Sequence, residues 1–155
     1  GINKDSYDST PDTMKHIDRV RELIDQIIID LLGRAERHDQ SKLVSPEKEA
    51  YDILTPRLKG LTYGSEEYRA SLREMKPAIA HHYANNSHHP EFHPNGIEGM
   101  DLVDLVEMFC DWKAATERHA DGSLEKSIPH NQERFGISPQ LAQIMENTRQ
   151  RMGWK

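Results

Sequence analysis

Cysteine is almost missing from these 155 residues: Cys110 is the only one, and it stands inside an apolar run. A single thiol excludes a disulfide framework and a multi-cysteine metal cage, and in that setting it is expected to be a small buried hydrophobe. No stretch of 18 or more apolar residues occurs, and no charged-then-apolar leader opens the sequence. Neither a membrane-spanning helix nor a secretory signal is therefore expected, which fits a cytoplasmic protein. Lys and Arg number 20 against 26 Asp and Glu, a net charge of −6, and the cations form no stripe. That balance argues against a protein that grips duplex nucleic acid by its backbone, and it means that a small anionic substrate would need a local cation. Strand-like alternation, internal repeats and low-complexity segments are absent as well.

What is present reads as helix. The length suits one domain with one core, preceded by a polar, flexible segment at 1–9, so the domain is placed at 10–155. Thr10-Pro11 is a cap followed by proline, and Val20, Leu23, Ile24, Ile27, Ile28 and Leu31 recur at three- and four-residue steps, a stripe expected to face the core. His16 shares that face. Ser45-Pro46 repeats the start signal for a helix that Pro56 should end, and Ser65 should cap a longer one reaching about Asn85, with His82 turned inward. "HHPEFHPNGIEGM" is a loop by its prolines and glycines. Asp101 can cap the most apolar helix, expected to be central, with Asp104, Glu107 and Asp111 along one edge. "HADGSLEKSIPHNQERFGI" reads as a connection, and Ser138-Pro139 opens the last helix. The fold class expected is all-α, one bundle of five or six helices.

The histidines are unevenly placed. "RHDQSKLVSPE" puts His38, Asp39 and Lys42 close together, and "HHYANNSHHPEFH" adds five more histidines about forty residues on. His16, His38, Asp39 and Asp111 would supply imidazole nitrogens and carboxylate oxygens, a mixture that suits zinc, iron or manganese better than calcium. A divalent cation among them would lower the pKa of a bound water from about 15.7 to near 7, and the Lys42 ammonium could neutralise charge on a phosphoryl oxygen. His82 with His88 and His89 could hold a second cation about 3.5–4 Å from the first. The choice between His81 and His82, and between His88 and His89, stays open. Glu107 could support a ligand histidine by a hydrogen bond. One condition is strict: unbroken helix from His16 to His38 would separate them by roughly 33 Å, so a shared ion demands a reversal between them, and Gly33 is the only strong breaker. The plainer readings are a solvated histidine loop, a surface Lys42, surface positions for His93, His119 and His130, and core packing for Trp112.

These motifs resemble the HD-domain metal-dependent phosphohydrolase superfamily. "HDQSK" looks like its His-Asp-x-Gly-Lys, with Ser41 in place of glycine, and "HIDRV" looks like its first ligand helix. "IAHHYANNSHHPEFHPNG" is similar to the tandem-histidine segment of a branch with extra ligands, and "DLVEMFCDWKAA" to the stretch that carries the last aspartate. The "HDxSK" and "HHPE" pairing is also similar to a small uncharacterised group of bacterial and phage proteins. The resemblance spans roughly residues 14–115. It implies an HD-type helical bundle holding one or two Zn, Mn, Fe or Co ions on His16, His38, Asp39, His82, His88, His89 and Asp111. Lys42 and Asp39 would stand at the reaction centre, and the substrate would be a small phosphorylated metabolite, above all a nucleotide. Two other outcomes are compatible with the same residues: a di-iron oxygenase of the HD type, or a non-catalytic module that binds a nucleotide or partner and keeps a structural metal.

Overall fold

The computed structural model describes residues 6–62 and 65–155. The flexible segment expected at 1–9 falls partly, at 1–5, outside the described residues. Residues 6–9 are exposed and non-helical, and hydrogen bonds from the Tyr7 hydroxyl to Asp12 and from the Thr10 N–H to Asp8 tie them to the start of the first helix. Seven α-helices and no strand occur among the described residues: α1 (Thr10–Arg37), α2 (Glu47–Lys59), α3 (Glu66–Glu74), α4 (Lys76–Asn85), α5 (Leu102–Thr116), α6 (Leu124–Phe135) and α7 (Pro139–Met152). Short 3-10 turns stand at Gln40–Leu43, Pro90–Phe92 and Gly96–Gly99. The all-α architecture is as expected, with seven helices in place of five or six. No helix is long and apolar enough to cross a membrane among the described residues. The chain divides into two compact units, residues 1–36 and residues 37–155.

The first unit is α1. It runs for 28 residues without a break. Gly33 does not turn it, because one glycine inside a helix costs only about 1 kcal/mol relative to alanine and all neighbouring hydrogen bonds can still form. No residue of α1 is buried; Val20, Ile24 and Ile28 of the apolar stripe are 38%, 52% and 47% exposed. Periodicity shows which residues share a face and says nothing about whether anything covers it.

In the second unit the core forms where α5, α6 and α7 meet, from Met108, Phe109, Leu124, Ile128, Ile137, Ala142 and Met145. Trp112 stacks on Phe135 and Trp154 lies against Phe109, with ring centroids 6.5 and 5.9 Å apart. Leu54 of α2 and Ala78 of α4 are buried where those helices pack together. Burying a side chain such as Leu124 contributes about 1.5–3 kcal/mol. Local signals set the helix ends: the Asp101 carboxylate accepts from the Asp104 N–H while the Asp104 carboxylate accepts from the Asp101 N–H, closing a capping box on α5.

Several boundaries differ from the sequence reading. The single helix expected from Ser65 to Asn85 splits at Met75, because Pro77 lacks an N–H and fits the first turn of a new helix better than the interior of a long one. Pro56, by contrast, is accommodated inside α2, which ends at Gly60. The supposed connection after Thr116 contains α6, capped by the Ser123 hydroxyl and stopped by Gly136 at φ 65. Pro129, inside that helix, is what makes it read as loop. α5 buries Met108 and Phe109 but exposes Leu102 and Val106, and Cys110 is exposed, so the thiol is not the buried hydrophobe expected.

Candidate metal centre

The centre is built where α1 stops. Adjacent side chains in a helix diverge by about 100°, so two neighbours cannot aim at one point while the helix lasts. Here α1 ends at Arg37, and Asp39 takes the left-handed conformation (φ 53, ψ 18), one of the few residue types that adopts it readily. The bend turns both side chains the same way, leaving His38 Nε2 3.5 Å from Asp39 Oδ2. The turn Gln40–Leu43 then brings Lys42 Nζ to 2.9 Å from Asp39 Oδ2 and over the Tyr51 ring, 5.0 Å from its centroid. The last turn of α4 supplies His82, the segment leading to Pro90 supplies His88 and His89, and α5 supplies Glu107 and Asp111 four residues apart on one face.

These side chains form two adjacent donor groups, Asp39, His82, His88 and His89 in one and His38, Asp39, His88 and Asp111 in the other, each offering atoms within 4.8 Å of one another. Asp39 and His88 belong to both. In the first group Asp39 Oδ1 lies 3.3 Å from His82 Nε2 and 3.4 Å from His88 Nε2, and His82 Nε2 lies 3.0 Å from His89 Nε2. In the second, His38 Nε2 is 3.5 Å from Asp111 Oδ1, and His88 Nε2 is 3.8 Å from Asp111 Oδ2. Metal bonds of about 2.0–2.2 Å in a tetrahedron put neighbouring donor atoms about 3.3–3.6 Å apart. Most of these distances fall in or near that range.

Two carboxylates, one buried and one mostly covered, fix the imidazoles from behind. Glu107 Oε2 accepts from Nδ1 of both His38 and His88, each at 2.8 Å. Glu47, with no exposed surface at all, accepts from His81 Nδ1 at 2.6 Å and His82 Nδ1 at 2.7 Å. An ionised carboxylate only accepts, so the proton of a neutral ring at His38, His82 or His88 sits on Nδ1 and leaves the Nε2 lone pair facing the centre. Ser41 and Asn86 brace the inner wall, the Asn86 amide donating to the Ser41 hydroxyl at 2.9 Å and to the His82 carbonyl at 2.8 Å.

The electrostatics show how tightly the donors are coupled. Hydrogen bonds to Asp111 and Glu107 push His38 up to about 10. Burial opposes protonation of His88, but the carboxylates of Asp39 and Glu107 beside the ring prevail and raise it to about 9. His89 is driven down to about 3 by burial and by repulsion from His88 and His82. Burial works against ionising Asp39 too, yet the nearby His82 and His88 rings and the Lys42 charge hold it far below the usual carboxylate range. Even so, Asp39 Oδ1 and His88 Nε2 are buried without a hydrogen-bond partner. Each such atom costs about 1–3 kcal/mol. A cation bound between these two atoms would offset both costs, so the donor set fits a metal of the nitrogen- and oxygen-ligated kind.

Of the ligands expected from sequence, His38, Asp39, His82, His88, His89 and Asp111 come together, with Lys42 beside them. His16 does not: it is exposed on α1 and belongs to neither donor group. The reversal it needed does not occur, and the 22 residues from His16 to Arg37 are continuous helix with a rise of about 32 Å. His81 turns its Nδ1 to Glu47 and stays outside both groups. His93, expected at the surface, is tucked in and donates from Nε2 to the Ser87 carbonyl at 2.9 Å, with Asp104 at 3.6 Å. Trp112 is half-buried and packs against the core. Glu47 is the functional residue that sequence reasoning does not find, since a glutamate in the first turn of a helix is the usual partner of the helix dipole and nothing in its spacing marks it as buried.

No curated protein matches the chain, and no solved structure does. Residues 5–151, nearly its whole length, match one family. The chain belongs to DUF5662, a family of unknown function.

Proposed function

We propose that the protein is a metal-dependent phosphohydrolase acting on a small phosphorylated metabolite, above all a nucleotide. The observation that carries the reading is the pair of adjacent donor groups sharing Asp39 and His88, with two unsatisfied buried atoms aimed between them. His38, Asp39, His82, His88, His89 and Asp111 would hold one or two Zn, Mn, Fe or Co ions. Bound there, such ions would polarise a phosphoryl oxygen and acidify a water. Lys42 orients the phosphoryl group by donating to one of its oxygens an N–H that Asp39 does not occupy. Glu47 and Glu107 keep the imidazole protons on Nδ1. Access is one-sided: His82 and His88 are 4% and 1% exposed and form the inner wall, whereas His38 and Asp111 are 31% and 28% exposed and leave a face open to substrate. The nucleotide preference is supported by likeness of the motifs to the HD-domain superfamily.

Elemental analysis of the purified protein, followed by a phosphate-release screen over nucleoside mono- and triphosphates, tests this. Release is expected from at least one compound and should vanish in His38→Ala and Asp39→Ala. Release that survives both substitutions removes the centre from the reaction. The shared Asp39 and His88 also suit a second reading, an iron-dependent oxygenase, for which iron content and oxygen consumption without phosphate release would be diagnostic.

A further inference from the structure

Lys42 is common to the metal centre and to a cavity of 890 Å³ that opens beside it. Small-molecule sites span about 300–1,000 Å³, so this one has room for far more than a phosphate ion. Its lining is unusual for a chain of net charge −6. Three permanent cations, Lys42, Lys59 and Arg118, contribute to it against a single carboxylate, Asp52. Both oxygens of Asp52 are already held by Lys48, at 2.8 and 2.7 Å. Lys42 answers to Asp39, but Lys59 and Arg118 have no ion-pair partner among the described residues. Tyr51, Leu58 and Tyr68 supply apolar surface to the same lining. Unpaired cations in a concave, partly apolar wall concentrate positive potential, which attracts an anion rather than another side chain.

We propose that this cavity is a second anion subsite. The ligand carries, besides the phosphoryl group beside Lys42, a further anionic group received by Lys59 and Arg118, and the part joining them lies against Tyr51, Leu58 and Tyr68. The substrate class is thus a bis-anionic phosphorylated compound of nucleotide size, in preference to a compound bearing one phosphate. This rests on the reading of the centre as a site for phosphoryl groups. Lys59 and Arg118 are exposed and touch none of the metal donors, so replacing them should spare fold and metal content alike.

The test is calorimetric binding to the metal-loaded full chain of adenosine 5′-monophosphate, adenosine 5′-diphosphate and adenosine 3′,5′-bisphosphate, with phosphate release followed in the same samples. At least one bis-anion should bind about tenfold or more tightly than the monophosphate, a gap that one charge-assisted contact supplies. In Lys59→Ala/Arg118→Ala that gap should close, with metal content and monophosphate affinity unchanged. Equal affinity for all three compounds, or a preference that outlives the double substitution, overturns the second subsite whether or not phosphate is released. Absence of phosphate release, with the preference present and lost in the double variant, counts against the hydrolase reading and upholds the subsite.

Discussion

Replacing Glu47 by glutamine keeps the shape of the side chain and exchanges two acceptor oxygens for one acceptor and one donor. In the parent protein those oxygens receive Nδ1–H from His81 at 2.6 Å and from His82 at 2.7 Å. If the new NH2 group faces His82, Nδ1 must become an acceptor and the ring proton moves to Nε2, where a lone pair is needed for a metal. If it faces His81, whose side chain is 38% exposed, that ring can turn to water and His82 keeps a weaker, uncharged acceptor. The second arrangement costs less, so Glu47→Gln should lose about tenfold in metal affinity. Glu47→Ala, which strands His82 Nδ1 in a buried site, should approach a hundredfold. Those factors correspond to about 1.4 and 2.7 kcal/mol. Competition between the protein and a colorimetric chelator for zinc measures them, and thermal unfolding checks that the fold survives. Zinc affinity within twofold of the parent in both variants would refute the claim that Glu47 holds a ligand in place.

The same geometry sets other expected outcomes. Lys42→Ala should cut turnover at least about tenfold while metal content stays the same; a loss of metal would show that the lysine supports Asp39 instead of substrate. His16→Ala should leave metal content and turnover at parental values, and a deficit in either would show that His16 takes part in the centre. With metal stripped, His38 and His88 hold their protons up to about 10 and 9, above the ordinary 6.5, so their contribution to stability is complete below pH 6.5 and is lost as pH climbs through 9 to 10. Denaturant titrations of chelator-treated protein should show that decline, and a flat profile from pH 6.5 to 10 would contradict it. Leu54→Ala, at a position 2% exposed, should cost about 2–5 kcal/mol by the same titration, against less than about 0.5 for Ile24→Gln on α1.

The cluster of candidate ligands is largely legible in the sequence because its residues arrive in short, chemically dense groups. His38-Asp39 with Lys42, and His82 with His88 and His89, are each closed by one local turn, so spacing alone constrains them. Asp111 and Glu107 are placed by four-residue spacing on a helix whose cap, Asp101, is unambiguous. His16 misleads for a physical reason: an apolar stripe has the same period whether it lines a core or stands in water. The choice between a helix that turns at Gly33 and one that continues rests on about 1 kcal/mol, which tertiary contacts easily outweigh. Pro56, Pro77 and Pro129 carry the same lesson from three sides, since one is absorbed near a helix end, one starts a helix and one is tolerated inside. Glu47 can be recognised only from its burial.

Both tryptophans lie in the second unit, Trp112 against Phe135 and Trp154 against Phe109, whereas α1 holds no Phe, Tyr or Trp. Indole fluorescence is therefore blind to α1, while far-ultraviolet dichroism counts its 28 helical residues along with all the others. Comparing the two signals during a melt would show whether the long helix dissolves on its own or together with the body that carries the histidines.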